Sequence, residues 1–382
     1  MIESTAETPT QMLGPRSRLL SAFFDHLNAQ GIVYAVMNNH GDLPQVIPSD
    51  VDFTVPMELF ARLDRFVITF AKTHGAFVVQ KLWHGNRKCA YILAVGPAGA
   101  REFIQLDFFV AFSTKGAPAL LSHEELVAGS QTVRNFKVPH PSVEYLFVAL
   151  RRLFKNDWSD RHCARIAELR QQIGTEPALP PRFAWLGETL NAAAAGDLAT
   201  VQARRAADWA QLRRSARQNM RPDERRANAW LQTRRIAHRL RDETGFLAVV
   251  LGSMDPVRDS AMDVMEMVFH RHLRLDANAL ASLGPVAAAK LPAELALLKR
   301  RKGLVFLQVQ PGHSFGRTLA RRLDRLGLVD LQLAVDPAVE KTGHRAPVVE
   351  VTTASDIMEA IVTRQAEKTT RAIARGGTQT SG

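Results

Sequence analysis

Two aspartates one residue apart stand inside the stretch Ile47-Pro48-Ser49-Asp50-Val51-Asp52-Phe53-Thr54-Val55, just ahead of an apolar run. On a β-strand, alternate side chains share a face, so Asp50 and Asp52 project together while Phe53 and Val55 take the other side. Two carboxylates this close repel each other and stay ionised only with a cation or donor between them. A hard divalent ion such as Mg²⁺ suits such an oxygen pair. The spacing alone also allows a plainer reading, a polar strand end with two solvated acids. Further on, Asp107 lies inside Glu102-Phe103-Ile104-Gln105-Leu106-Asp107-Phe108-Phe109-Val110. A carboxylate within such a strand is costly to bury unless paired or metal-bound, which makes Asp107 a natural third ligand.

The residues around the acids give them a setting. Leu19, Leu20, Phe23, Phe24 and Leu27 recur at helical spacing, and Gln30-Gly31 closes that helix. Residues 32–37 read as a short buried strand, and residues 38–44 as a turn-rich loop. A second helix is expected over residues 57–74. Strands at 77–82 and 90–95 lead as a meander to the Asp107 strand. Residues 83–88, between them, read as a solvated turn or a loop that binds phosphate or base. Helix, strand, Gly loop, Asp-x-Asp strand and a later strand with one Asp: this order resembles the nucleotidyltransferase (polymerase-beta-like) superfamily.

The resemblance implies that Asp50, Asp52 and Asp107 hold Mg²⁺ (or Mn²⁺) and carry the catalysis. A nucleoside triphosphate would be the nucleotide substrate and a hydroxyl the acceptor. It places Asn38, Asn39, Gly41 and Ser49 near the triphosphate, where Asn38, Asn39 and His40 offer donors. Arg151 and Lys155, at the end of a helix opening at His140-Pro141-Ser142, would neutralise phosphate; cations in a last helical turn also suit the helix dipole without any such role. Where the family has Gly-Ser or Gly-Gly before the acids, this chain has Gly41-Asp42.

The chain has 382 residues, enough for two or three domains, and a formal net charge of +11 that points to an anionic partner. Two cysteines, Cys89 and Cys163, form no motif. The acidic, polar start of the chain is not a signal peptide, and no apolar run approaches the roughly 20 residues of a membrane span. A cytoplasmic protein, peripheral to the inner membrane at most, is the expectation. Between Arg204 and Asp242, twelve arginines face four acids. Trp209, Leu212, Ala216 and Met220 fall at helical spacing, which predicts helices with a basic face, broken near Pro222. That face is either a solvated connector or a contact for an anionic partner through Arg204 to Arg241. Sparse aromatics and the lack of a groove-reading motif argue against nucleic acid.

From Thr244 the chain changes again. Residues 246–251 form a buried-strand run that ends at Gly252. A working phosphate loop needs Gly, Lys and Ser/Thr where Val257, Arg258 and Asp259 stand. Another loop-like stretch, residues 311–318, lacks the first Gly and the Lys. Later strands at 329–337 and 348–351 and a last helix at 355–361 complete a layout that resembles a thymidylate-kinase-like domain with a degenerate loop. The expected fold class is mixed α/β. It comprises a nucleotidyltransferase-like α+β domain at 12–165, a basic helical connector at 166–242, a thymidylate-kinase-like parallel α/β domain at 243–365, and a disordered tail at 366–382. Fusions of these two kinds tend to be encoded with exopolysaccharide or capsule genes. The function implied is Mg²⁺-dependent nucleotidyl transfer to a glycan or lipid-linked acceptor in surface-polysaccharide synthesis, with the kinase-like part inactive. The alternative is a non-catalytic nucleotide- or glycan-binding scaffold of a synthesis complex.

Overall fold

The computed structural model describes residues 13–218 except 86, 115, 116 and 176, then residues 226, 229, 230 and 233, and residues 244–376 except 254–267, 270, 283, 302 and 336–344. It is a mixed α/β protein built on two five-stranded sheets.

The first sheet runs β1-β2-β5-β4-β3. Its strands are β1 (Ala35–Val36), β2 (Asp50–Thr54), β3 (Phe77–Gly85), β4 (Lys88–Val95) and β5 (Glu102–Phe109). β3, β4 and β5 form the expected meander, and β2 joins β5 in parallel. Only two residues of the apolar run at 32–37 pair as strand, because Val33 is half exposed and the chain turns at once into the loop.

One face of this sheet is an aromatic core. Helix α1 (Pro15–Ala29) sets Phe23 against Phe53 and Phe108 at 5.5 and 5.9 Å, and against Phe70 of α3 (Leu63–Thr73) at 4.9 Å. The short α2 (Met57–Ala61) leads into α3. Phe53 and Phe108, neighbours in the β2–β5 register, stack at 5.2 Å. Aromatic pairs of this kind add about 0.5–1.5 kcal/mol each beyond burial, so the β2–β5 register is strongly specified.

The opposite face is covered by two different bodies. After β6 (Ala111–Thr114), β7 (Ala117–Ser122), α4 (His123–Val127), β8 (Gln131–Val133) and β9 (Phe136–Val138) comes α5 (Pro141–Lys155). With α6 (Asp160–Ile173), α7 (Gly187–Ala194) and α8 (Leu198–Gln218) it forms a helical layer that packs on Ala35, Met37 and Phe109. Residues 166–212, in the region expected as a connector, contribute Ile166, Leu169, Leu190 and Leu212 to this core. Of the expected basic helices, residues 219–242 lie largely outside the described residues.

The second sheet is all parallel, in the order β11-β12-β10-β13-β14, with β10 (Phe246–Leu251), β11 (Arg271–Asp276), β12 (Gly303–Val309), β13 (Leu331–Ala334) and β14 (Val348–Glu350). Its strands alternate cleanly. Leu247, Val249 and Leu251 face α9 (Ala277–Ala281), α10 (Gly284–Arg300) and α11 (Ser314–Arg325). Phe246, Ala248 and Val250 face α12 (Ala354–Gly376).

Helix α12 overturns one expectation. Residues 366–376, read as part of a disordered tail, continue the last helix. They do so because α12 is packed between the two sheets: Ile357, Met358, Ile361 and Val362 share one apolar cluster with Val79, Ile92 and Phe103 of the first sheet. Thr369 donates to the Val79 carbonyl at 2.8 Å, and Lys368 to Gly245 O at 2.8 Å. Arg101 holds Glu359 through two bonds of 2.9 and 2.8 Å, and Gln80 donates to Thr244 O at 3.0 Å. Among the described residues no helix is long and apolar enough to cross a membrane.

Because this core spans both sheets, Ile361→Ala should destabilise the whole chain by about 2–5 kcal/mol. Urea denaturation followed by intrinsic fluorescence is expected to show one transition shifted as a unit; two separated transitions would show that the sheets unfold independently.

Candidate metal centre

The register that stacks Phe53 on Phe108 places Asp52 opposite Asp107 on the other face. Asp50, two residues earlier on β2, shares that face. One carboxylate oxygen from each of the three acids lies within 4.8 Å of the others. Asp52 and Asp107 are only 3% and 5% exposed, and Asp50 is half-buried at the strand end. The solvated-acid reading of the pair therefore fails for Asp52.

Buried carboxylates need partners, and each has one. Arg151, in the last turns of α5, sets Nη1 2.6 Å from Asp52 Oδ2. Lys88 Nζ lies 3.1 Å from Asp107 Oδ2, and Gln105 donates to Asp107 Oδ1 at 2.7 Å. Ser49 donates to Asp50 Oδ1 at 3.0 Å. Asp50 Oδ2 and Asp52 Oδ1 are taken by none of these contacts. Burial first, and then the charges of Asp52 and Asp107, raise the Asp50 carboxyl above its usual value. Clustered, dehydrated oxygens with a net negative charge fit a hard divalent cation. Arg151 and Lys88 already neutralise part of that charge.

The other residues expected around a triphosphate divide into two groups. Lys155 stands one turn beyond Arg151, and its ammonium is lowered by burial first and then by Arg151 and Arg152, with Asp52 and Asp50 pulling the other way. It belongs to the same electrostatic neighbourhood, and it makes no salt bridge among the described residues. The loop before β2 is held differently. Asn38 follows β1, where Met37 N donates to Asp52 O at 2.9 Å. Asn39 takes a left-handed backbone at φ 50°, and Gly41 is exposed. Among the described residues none of Asn38, Asn39 and Gly41 bonds the acids. His40, also weighed as a phosphate donor, is engaged by Glu144 of α5 at 2.9 Å, and Arg165 of α6 braces that carboxylate at 2.7 Å. Ser49 serves Asp50 itself.

Sequence reasoning missed Lys88 and Gln105. Gln105 was within reach, since i and i−2 share a strand face with Asp107. Lys88 sat in the segment read as a turn, and only the β4–β5 pairing, Ala90 opposite Asp107, brings it near the acid. Thr54, on the acid face of β2, bonds His123 at 3.0 Å and ties α4 to the same strand. In the basic segment, Arg204 is taken by Glu188, while Arg213 and Arg214 are exposed. In the second sheet, Gln308 bonds Gly252 O at 3.0 Å, but Val257, Arg258 and Asp259 lie outside the described residues.

No family model matches the chain, and no curated protein matches it. Among solved structures, a candidate nucleotidyltransferase from H. pylori aligns with 50% of this chain and 95% of its own, at 9% identity and a TM-score of 0.27. A likeness that shallow carries no weight for function, which has to be reasoned from the acid cluster itself.

The raised Asp50 carboxyl has a testable consequence. The native state keeps this proton to higher pH than the unfolded chain does, so ionisation lowers stability as pH rises through the interval above the ordinary Asp value. Asp50→Asn should raise Tm at pH 7 without metal, on the order of one or two degrees for a half-buried group. The gain should fade as pH falls below the usual carboxylate range; calorimetry across pH 3–8 checks it.

Proposed function

We propose that the chain is a Mg²⁺-dependent nucleotidyltransferase that transfers a nucleotidyl group to a hydroxyl. The supporting observation is the convergence of Asp50, Asp52 and Asp107 on adjacent parallel strands. In this reading the acceptor oxygen bonds the α-phosphorus of a nucleoside triphosphate. The bond to pyrophosphate breaks, and the hydroxyl proton passes to solvent. A bound divalent cation would lower the acceptor's pKa and offset charge on the transferring phosphoryl. Asp50, Asp52 and Asp107 would hold that cation, or its Mn²⁺ substitute. Ser49 orients Asp50, and Gln105 orients Asp107. Lys155 supplies a positive charge for the triphosphate. The proposed acceptor is a glycan or lipid-linked glycan of surface-polysaccharide synthesis, a choice that rests on the fused layout. The exposed Arg213 and Arg214 offer a face to an anionic partner, including the inner-membrane surface of a cytoplasmic protein.

The second part is proposed as a thymidylate-kinase-like unit that does not phosphorylate. Val257, Arg258 and Asp259 replace the Gly, Lys and Ser/Thr on which phosphoryl transfer depends for positioning and charge. The unit then serves the first sheet through α12.

One observation favours a second reading, a non-catalytic nucleotide-binding scaffold: Arg151 and Lys88 already occupy two of the acids. A screen of nucleoside triphosphates with Mg²⁺ or Mn²⁺ separates the two. The enzyme releases pyrophosphate, and Asp52→Asn and Asp107→Asn each cut the rate by about a hundredfold or more. Nucleotide-induced stabilisation without pyrophosphate release supports the scaffold. No response from the wild-type chain rejects both.

A further inference from the structure

The acid cluster has a cation built into the fold. Arg151 and Asp52 are 10% and 4% exposed and meet at 2.6 Å. Burying such a pair is repaid only if the remaining donors and acceptors are also satisfied. For Arg151 they are not: among the described residues, its buried Nε has no hydrogen-bond partner. A guanidinium has five donors in a fixed fork, so this one is under-used. On its other side lies Phe147, one turn earlier on α5, with the guanidinium 5.9 Å from the ring centroid. Phe147 in turn stacks on Phe109 of β5. The apolar side of the site therefore holds the arginine in place, and Asp52 supplies its charge partner.

That partner belongs to the oxygen cluster that would bind a divalent ion. A full positive charge hydrogen-bonded to one ligand competes with any cation coordinated by the three acids, the more strongly because Asp52 is shielded from water.

We propose that Arg151 is a resident counter-ion that competes with the divalent cation for Asp52, and that cation binding frees its guanidinium to donate to an oxyanion of the substrate. The inference rests on the metal-dependent reading above and deepens it. Arg151 acts through Asp52 until the substrate arrives and touches the substrate's oxyanion afterwards. The orphaned Nε–H is a donor already desolvated, and a phosphate oxygen is the acceptor chemistry it suits.

The test is a Mn²⁺ titration followed by electron paramagnetic resonance on the full chain, with thermal unfolding alongside. Arg151→Gln should bind Mn²⁺ on the order of tenfold more tightly than wild type, because the competitor is gone. Without metal it should melt lower than wild type, since Asp52 is left buried and unpaired, and Mn²⁺ should recover most of that loss. With Mn²⁺ present it should bind inorganic pyrophosphate more weakly. Tighter metal with weaker pyrophosphate is a pair of opposite signs that a merely structural arginine does not give. Mn²⁺ affinity unchanged or weakened in Arg151→Gln, while Asp52→Asn loses it, overturns the inference and leaves the metal site standing. Mn²⁺ bound by neither wild type nor Arg151→Gln overturns both. If Arg151→Gln folds only when Mn²⁺ is supplied, that rescue supports the inference. If it folds under neither condition, Arg151→Met, which keeps apolar contact with Phe147 and removes the charge, decides: affinity above wild type supports competition, and wild-type or weaker affinity overturns it.

Discussion

Negative charge buried on one face of a parallel strand pair is the constraint around which this protein is arranged. Asp52 and Asp107 are neighbours in the β2–β5 register, and both are almost fully removed from water. Such charges are tolerated only with compensation close by. The fold brings it from three directions: Arg151 from α5, Lys88 from β4 and Gln105 from β5 itself. The opposite face carries none of this burden. There Phe23, Phe53 and Phe108 lock the register by packing alone, so the polar geometry above does not have to hold the strands together.

The covering of the acid-bearing face follows from the same constraint. The helical layer of α5 to α8 covers the β1 side, and α12 with the second sheet covers β3 and β4. The strip between them holds the acids. The second unit is therefore part of the environment of the first, fixed through Arg101–Glu359 and Thr369 to Val79. Within the second unit, Asp330 plays a comparable unifying role. It accepts from Leu247 N at 2.8 Å and pairs with Lys299 at 2.9 Å and Lys368 at 3.0 Å, which links β10, α10 and α12 around one carboxylate.

A good part of this is legible in the sequence, for reasons that can be named. Period-2 alternation across Asp50, Asp52 and Thr54 makes the acid face visible. The apolar run around Asp107 marks that residue as one needing a partner. Helical spacing of Phe23, Phe24 and Leu27 gives α1 and its buried side, and the run at 246–251 gives a strand buried on both faces. The site's own charge balance is less visible. Arg151 reads as a phosphate ligand or a dipole cation, and its pairing with Asp52 bridges residues far apart in the chain. His40 reads as a phosphate donor, yet Glu144 and Arg165 engage it.

The sequence by itself determined which residues alternate, where the acids sit on their strands, and that the chain is mixed α/β, because periodicity and burial are local properties. Tertiary structure alone decided that Lys88 reaches Asp107, because that depends on the β4–β5 register. It alone decided that residues 366–376 are ordered helix: their polar composition reads as a tail, and they are held by an apolar stripe earlier in α12 and by the Val79 carbonyl across the interface. The same is true of the shared core. Two sheets that each look like an independent domain in sequence are joined by one helix, and no local pattern encodes which exposed face another part of the chain will cover.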